Sequence, residues 1–164
     1  NIEFPGVISL LTASQLKNYT EQIINNVQIL TTKNKEFIYE NYRFSLIKSN
    51  YIFGYGKQEK GKYLIVDDNK LLIDMLMYQK QVGNFEEILK VVMNATFDKV
   101  VMCNYLGKIG NKSLIKRVGF LLEEFCNIDI FEKFKLDTNY IYLDILTKKY
   151  NQINRKWGVK YVFN

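Results

Sequence analysis

Histidine is absent from the 164 residues. That absence removes histidine triads, histidine metal ligands and the commonest general base in one step. Proline occurs once, and no stretch has the composition of a linker. The two cysteines, Cys103 and Cys126, lie in apolar helical patterns without C-x-x-C spacing. They are expected to be buried thiols in a reducing, cytoplasmic compartment. No apolar run approaches the roughly 18 residues of a bilayer span, so no membrane partner is expected. G-x-x-x-x-G-K-[ST], G-x-G-x-x-G and G-x-S-x-G are all missing. Gly54-Tyr55-Gly56 is a partial match that follows a strand but opens no helix, and a plain turn explains it better.

What is present suits one domain with a proper core. Apolar residues make up 48% of the chain, and the net charge of +6 favours an anionic partner. The chain opens on Asn1 rather than methionine, so a fragment or processed chain is expected, with something missing upstream.

Phe4-Pro5-Gly6 reads as a turn, followed by a short helix over 8–16 capped by Ser9 or Thr12. Residues 27–32 alternate and are β-branched, predicting a strand. Lys33-Asn34-Lys35 is a polar turn. Residues 37–39 and 42–47 read as paired strands joined at Glu40-Asn41, with 57–62 a charged turn and 63–66 a further strand. The character switches at Asp67-Asp68, either of which can cap a helix over 69–80. Asn84 caps a helix to about 94 and Thr96 one over 97–106. Gly107 and Gly110 bracket a loop, and Asn111 caps the helix 112–126. Along that helix Leu114, Val118, Leu121, Leu122 and Phe125 form an apolar stripe, with Lys112, Lys116 and Arg117 mostly off it. Gly119 costs about 1 kcal/mol relative to Ala, and a close backbone approach is a reason to keep it. The runs 140–146 and 157–163 alternate well enough to be strands that return to the sheet or pack along the helices. The expected fold is therefore α+β: an antiparallel sheet from the N-terminal third plus the C-terminal tail, packed on four to five helices.

Candidate chemistry is sparse. A metal nuclease site wants an acid near a sheet and a Glu-x-Lys pair on a neighbouring strand. No Glu-x-Lys occurs, and Asp68-Asn69-Lys70 sits where a helix begins, so capping is the simpler reading. Asp74 lies four residues after Lys70, and a local ion pair or buried hydrogen bond is its default role. No metal ligand set and no cofactor are implied. Lys108, Lys112, Lys116 and Arg117, with Lys148, Lys149, Arg155 and Lys156, are candidate phosphate contacts. Tyr150 and Trp157 interleave with the second group and are candidate base or backbone contacts.

Several stretches, in order, resemble the AbiE-type (AbiEi-like) antitoxins. Pro5-Gly6-Val7-Ile8-Ser9-Leu10, residues 27–33, and Tyr42-Arg43-Phe44 with Phe53-Gly54 resemble the early part of that family's antitoxin domain. Asp68-Asn69-Lys70-Leu71-Leu72-Ile73-Asp74-Met75-Leu76 is similar to its P-E-K-A-L-L-D-L-L segment. Lys116-Arg117-Val118-Gly119-Phe120-Leu121-Leu122-Glu123 is similar to its K-R-L-G-Y-L-L-E. Tyr142-Leu143-Asp144, Tyr150-Asn151, Lys156-Trp157-Gly158-Val159 and a final Asn164 resemble its end. Asp67-Asp68 departs from the family's small residue, Pro and Glu, whereas Lys70 and Asp74 match.

The resemblance implies the second domain of a type IV toxin–antitoxin antitoxin from a phage abortive-infection defence system. Its partner would be a nucleotidyltransferase-like toxin, neutralised without a stable complex. Operator DNA would be bound by an N-terminal winged helix-turn-helix that this chain lacks, making the whole protein a transcriptional regulator. No catalytic residues come with the resemblance. Lys116 and Arg117 are expected to be the functional basic pair, unless the arginine anchors a neighbouring strand or a carboxylate such as Asp74. Two other readings stay open: a degenerate or metal-dependent nucleic-acid-processing enzyme, and a ligand-sensing module of a transcriptional regulator.

Overall fold

A computed structural model describes residues 6–32, 37–39, 42–58 and 63–163. The expected turns at Phe4-Pro5, Lys33-Asn34-Lys35 and Glu40-Asn41, most of the 57–62 turn, and Asn164 lie outside the described residues. The element order is β1 (Val7–Ile8), α1 (Leu10–Leu16), β2 (Asn26–Thr31), β3 (Phe37–Tyr39), β4 (Tyr42–Lys48), β5 (Tyr55–Lys57) and β6 (Leu64–Val66). There follow α2 (Asp68–Met77), α3 (Gln79–Val82), α4 (Phe85–Asn94), α5 (Lys99–Ile109), α6 (Lys112–Cys126), β7 (Ile141–Tyr142), β8 (Gln152–Asn154) and β9 (Val159–Tyr161). The α+β class is as the sequence implies. α3 is a single extra turn beyond the expected helices, because the chain breaks at Tyr78.

The first sheet is mixed rather than antiparallel. Its order is β3-β4-β2-β1-β6-β5, and β2 runs parallel to β4, as β1 does to β6. Among the described residues β3 pairs only with β4, antiparallel, while β4 runs parallel to β2. The tail does not return to this sheet. It forms a separate three-stranded sheet, order β7-β9-β8. β8 lies within a polar, basic stretch that carries no apolar alternation, so no pattern announces it.

β1 is two residues long and sits where a helix start was expected. Ser9 does not cap α1; its hydroxyl donates to Asp74 Oδ2 at 2.8 Å. The Leu11 amide instead donates to Gln28 Oε1 at 2.9 Å, and Thr12 Oγ1 accepts from the Gln28 amide. A buried glutamine from β2 thus serves an orphan amide of the helix start. α5 begins later than expected and is capped by Asp98, which accepts from the Val101 amide, and not by Thr96. Gly107 lies within α5, while Gly110 ends it in a left-handed conformation.

Everything is arranged around α2, whose residues 69–76 are all buried. Its buried polar residues, Asn69, Lys70 and Asp74, are all hydrogen-bonded, so the helix can be enclosed on every side, and α1, α4, α5 and α6 all pack on it. Its first turn is tied in several directions. Asp67 caps it by accepting from the Lys70 amide and also accepts from Tyr105 Oη at 2.6 Å. Asp68 accepts from Lys17, Tyr19 Oη and the Thr96 amide. Burial works to raise the Asp68 carboxyl, and these donors outweigh it and hold it below its usual value. Asn69 Oδ1 accepts from the Asp98 amide. Gly54, at φ +67, lets the chain pass against Tyr105 and Lys70, where a Cβ would lie 2.8 Å from the tyrosine ring. The glycine pair of 54–56 is therefore a packing feature at its first position.

Inside this ring sits a fully buried ion pair. Lys70 Nζ lies 2.5 Å from Asp74 Oδ1, both side chains at 0% exposure, and 4.9 Å from the Phe53 ring centroid. Burial pushes the Asp74 carboxyl up to about 6, although Lys70 and Ser9 both pull it down. Breaking such a pair strands a charge in the core and costs about 3–5 kcal/mol, whereas replacing both partners by apolar groups is often neutral. Lys70→Met is therefore expected to lower the urea-unfolding free energy by about that amount. Lys70→Met with Asp74→Leu and Ser9→Ala should recover most of the loss. A triple variant as unstable as the single one would refute this account of the pair.

Candidate functional site

The basic stretch of α6 and the closing tail turn out to be one construction. Asn111 caps α6 by accepting from the Leu114 amide at 3.0 Å. The expected stripe is buried through Leu122, while Phe125 remains 40% exposed. A second stripe lies beside it: Lys116, Gly119, Phe120 and Glu123, at i, i+3, i+4 and i+7, face the tail. Lys116 is consequently not a surface residue but is 2% exposed. The sequence places charged residues in solvent by default, and it is the remote tail that overrides this here.

The second stripe and the adjoining Arg117 receive the tail, Phe120 through the Tyr161 ring at 4.8 Å. Lys116 Nζ donates to Asp137 Oδ1 at 2.7 Å and to the Asn139 carbonyl. Arg117 Nε donates to the Tyr142 carbonyl at 2.8 Å, so the arginine does anchor a neighbouring strand; burial pulls its guanidinium below the usual value. Gly119 admits the indole of Trp157, because a Cβ there would stand 2.1 Å from Cη2. Trp157 Nε1 donates to Glu123 Oε2 at 2.5 Å, and Phe131 meets the indole edge-on at 5.0 Å. Lys156 Nζ bridges Glu123 Oε1 and Asp129 Oδ2, each at 2.7 Å. From α3, Gln79 donates to the Leu143 carbonyl and accepts from the Ile145 amide.

These contacts redistribute the candidate residues. Lys116, Arg117, Gly119, Lys156 and Trp157 hold the tail, and Trp157, at 1% exposure, presents no face to a base. Lys112, Lys148, Lys149 and Arg155 are exposed, and none makes an ion pair among the described residues. Glu123, Asp137 and Gln79 are the structural partners that the sequence pattern did not single out. The signal for Glu123 was its i+7 spacing from Lys116; Asp137 had none, lying in a loop.

Asp68 and Lys70 are each committed to separate partners, so Asp68-Asn69-Lys70 forms a helix start and not an open carboxylate–lysine site. Among the described residues, no three acidic or cysteine side chains converge as metal ligands. Cys103 and Cys126 are free thiols, half-buried rather than buried, and burial raises both. No helix among the described residues is long and apolar enough to cross a membrane. A groove of about 720 Å³ runs between the start of α4 and the tail, lined by Phe85, Leu89, Phe125, Leu146, Val162 and Phe163 among others.

Two measurements test the clasp. Gly119→Ala should destabilise the fold by about 1–3 kcal/mol through overpacking, despite the better helix propensity of alanine. The loss should shrink in a Trp157→Leu background, and strict additivity in urea denaturation would count against the contact. The second test uses pH. Lys156 holds Asp129, and Lys116 holds Asp137, below the usual carboxylate value. Their stabilising contribution is present above an unfolded pKa of about 3.9 and is lost as pH falls through the lower folded values. Trp157 is the only tryptophan, so its emission should shift to the red below about pH 4 as the tail loosens. Unchanged emission down to global unfolding would show that these carboxylates do not hold it.

Comparison with protein-family models and with curated proteins gives no match to the chain.

Proposed function

We propose that this chain is the antitoxin domain of a type IV toxin–antitoxin, abortive-infection system, acting in the cytoplasm without catalysis. It would neutralise a nucleotidyltransferase-like toxin and assist autorepression where an N-terminal DNA-binding domain accompanies it. One observation supports the reading above others. The two stretches that carry much of the resemblance, 116–123 and 156–159, interlock through Gly119–Trp157 and Glu123–Lys156. A third, 68–76, supplies the buried Lys70–Asp74 pair. Short motifs that are individually weak gain weight when they prove to be contacting parts of one architecture. The same contacts leave Lys112, Lys148, Lys149 and Arg155 as exposed candidate cations, three of them on the tail, through which a working surface can act.

The groove beside α4 favours a second reading, a ligand-sensing module of a transcriptional regulator, since an apolar cleft is where a small molecule would bind. Co-expression with the nucleotidyltransferase-like toxin of the same operon separates the two. Wild-type chain should restore growth, and a folded Lys148→Ala, Lys149→Ala, Arg155→Ala variant should restore it less. Lys116→Ala serves as the fold-loss control, since it strands Asp137 and the Asn139 carbonyl. Failure of the wild-type chain to rescue sinks the antitoxin reading and moves weight to the sensing module.

A further inference from the structure

The tail sheet has two faces, and the clasp on α6 uses one. Ile141, Val159 and Asn154 lie in one register row, and Tyr142, Lys160 and Ile153 in the next. Partners in register project to the same side and successive residues to opposite sides. Val159 is fully buried on the side that packs on α6, so the Tyr142–Lys160–Ile153 row faces outward, with Ile153 47% exposed. Tyr150, 46% exposed, comes in from the connection before β8, its ring 5.9 Å from that of Tyr142. Lys160 Nζ stands 5.3 Å from the Tyr142 centroid and 5.0 Å from that of Tyr150.

Charge reinforces this placement. Lys17, Lys70, Lys90, Lys116 and Lys156 are each neutralised by a carboxylate. Lys160 has no such ion pair among the described residues. Nor do Lys148 and Lys149, which run into Tyr150, or Arg155, which follows β8. Lys160, with Lys148 and Arg155 before and after β8, therefore sets unneutralised cations by the exposed Tyr150 and the half-buried Tyr142, while Lys149 lines the groove beside α4. Rings that stack bases beside cations that meet phosphates are how unpaired strands are held. A duplex keeps its bases stacked on each other and would leave the tyrosines unused.

We propose that the outward face of the tail sheet binds single-stranded nucleic acid, with bases on Tyr150 and Tyr142 and phosphates on Lys160, Lys148 and Arg155. This deepens the antitoxin reading by naming what its exposed basic surface touches. The test involves no toxin, so loss of growth rescue and loss of strand binding are separate results.

The experiment is an anisotropy titration of the 164-residue chain with labelled oligo(U) and oligo(dT) of about 12 nucleotides, against a duplex of equal length. Single strands should bind more tightly than the duplex. Tyr150→Ala should weaken binding about 5- to 150-fold, as loss of one stacked base implies, while Tyr150→Phe retains it. Lys148→Ala with Arg155→Ala should reduce the salt slope by about 1.4. Arg43→Ala with Lys48→Ala, an equal charge change on β4, should leave binding unchanged. Circular dichroism melts identify any variant that has unfolded; if Tyr150→Ala does so, Lys160→Gln, read through the salt slope, carries the test. The proposal is overturned by no binding at low salt, by a duplex preferred over single strands, or by equal losses from the β4 pair. Tighter capture of poly-glutamate than of either oligonucleotide would overturn it in favour of an acidic protein partner.

Discussion

The first turn of α2 is the constraint on which the remaining structure depends. Four consecutive residues there, 67–70, reach Tyr105, Lys17, Tyr19, Thr96, Asp98 and, through Asp74, Ser9. A buried lysine is tolerable only with its carboxylate in place, and the carboxylate in turn fixes the junction of β1 with α1. The sheet and the helical layer are thus coupled by polar groups with directional requirements, at the point where apolar packing alone would allow sliding. Directional pairs of this kind select one arrangement among several of similar apolar burial.

The tail is attached on a different principle. Its three short strands have too little apolar area to stand alone, so they borrow the second stripe of α6. The attachment combines an indole seated on a glycine with charged donors that end on backbone carbonyls and carboxylates. Gly119 is disfavoured in an isolated helix and required in this one. Its apparent defect is the seat of the largest buried side chain in the molecule.

Much of the fold was legible where local chemistry decides it. Asp67, Asn84 and Asn111 cap the helices that their positions imply; alternation marks β2 and β4, and a short apolar run marks β6. What was not legible depends on partners far along the chain. Ser9 looks like a cap but is claimed by Asp74, 65 residues away. Thr96 looks like a cap but offers its amide to Asp68, leaving Asp98 to do the capping. Lys116 looks like a surface cation until Asp137 covers it. β1 and β8 are too short to carry a period. The candidate site suffered the same limit: the motif residues were visible, but their inward direction was set by a tail that no local rule places.

The anchors of the tail fall at 137–145 and again at 154–161. The connection between them, from Leu146 to Tyr150, is exposed throughout. Closing a somewhat longer loop between fixed ends adds only a few tenths of a kcal/mol. This segment is therefore free to change length and composition without disturbing the frame that carries it. Changes there would leave the clasp on either side as a fixed mount for whatever the loop presents.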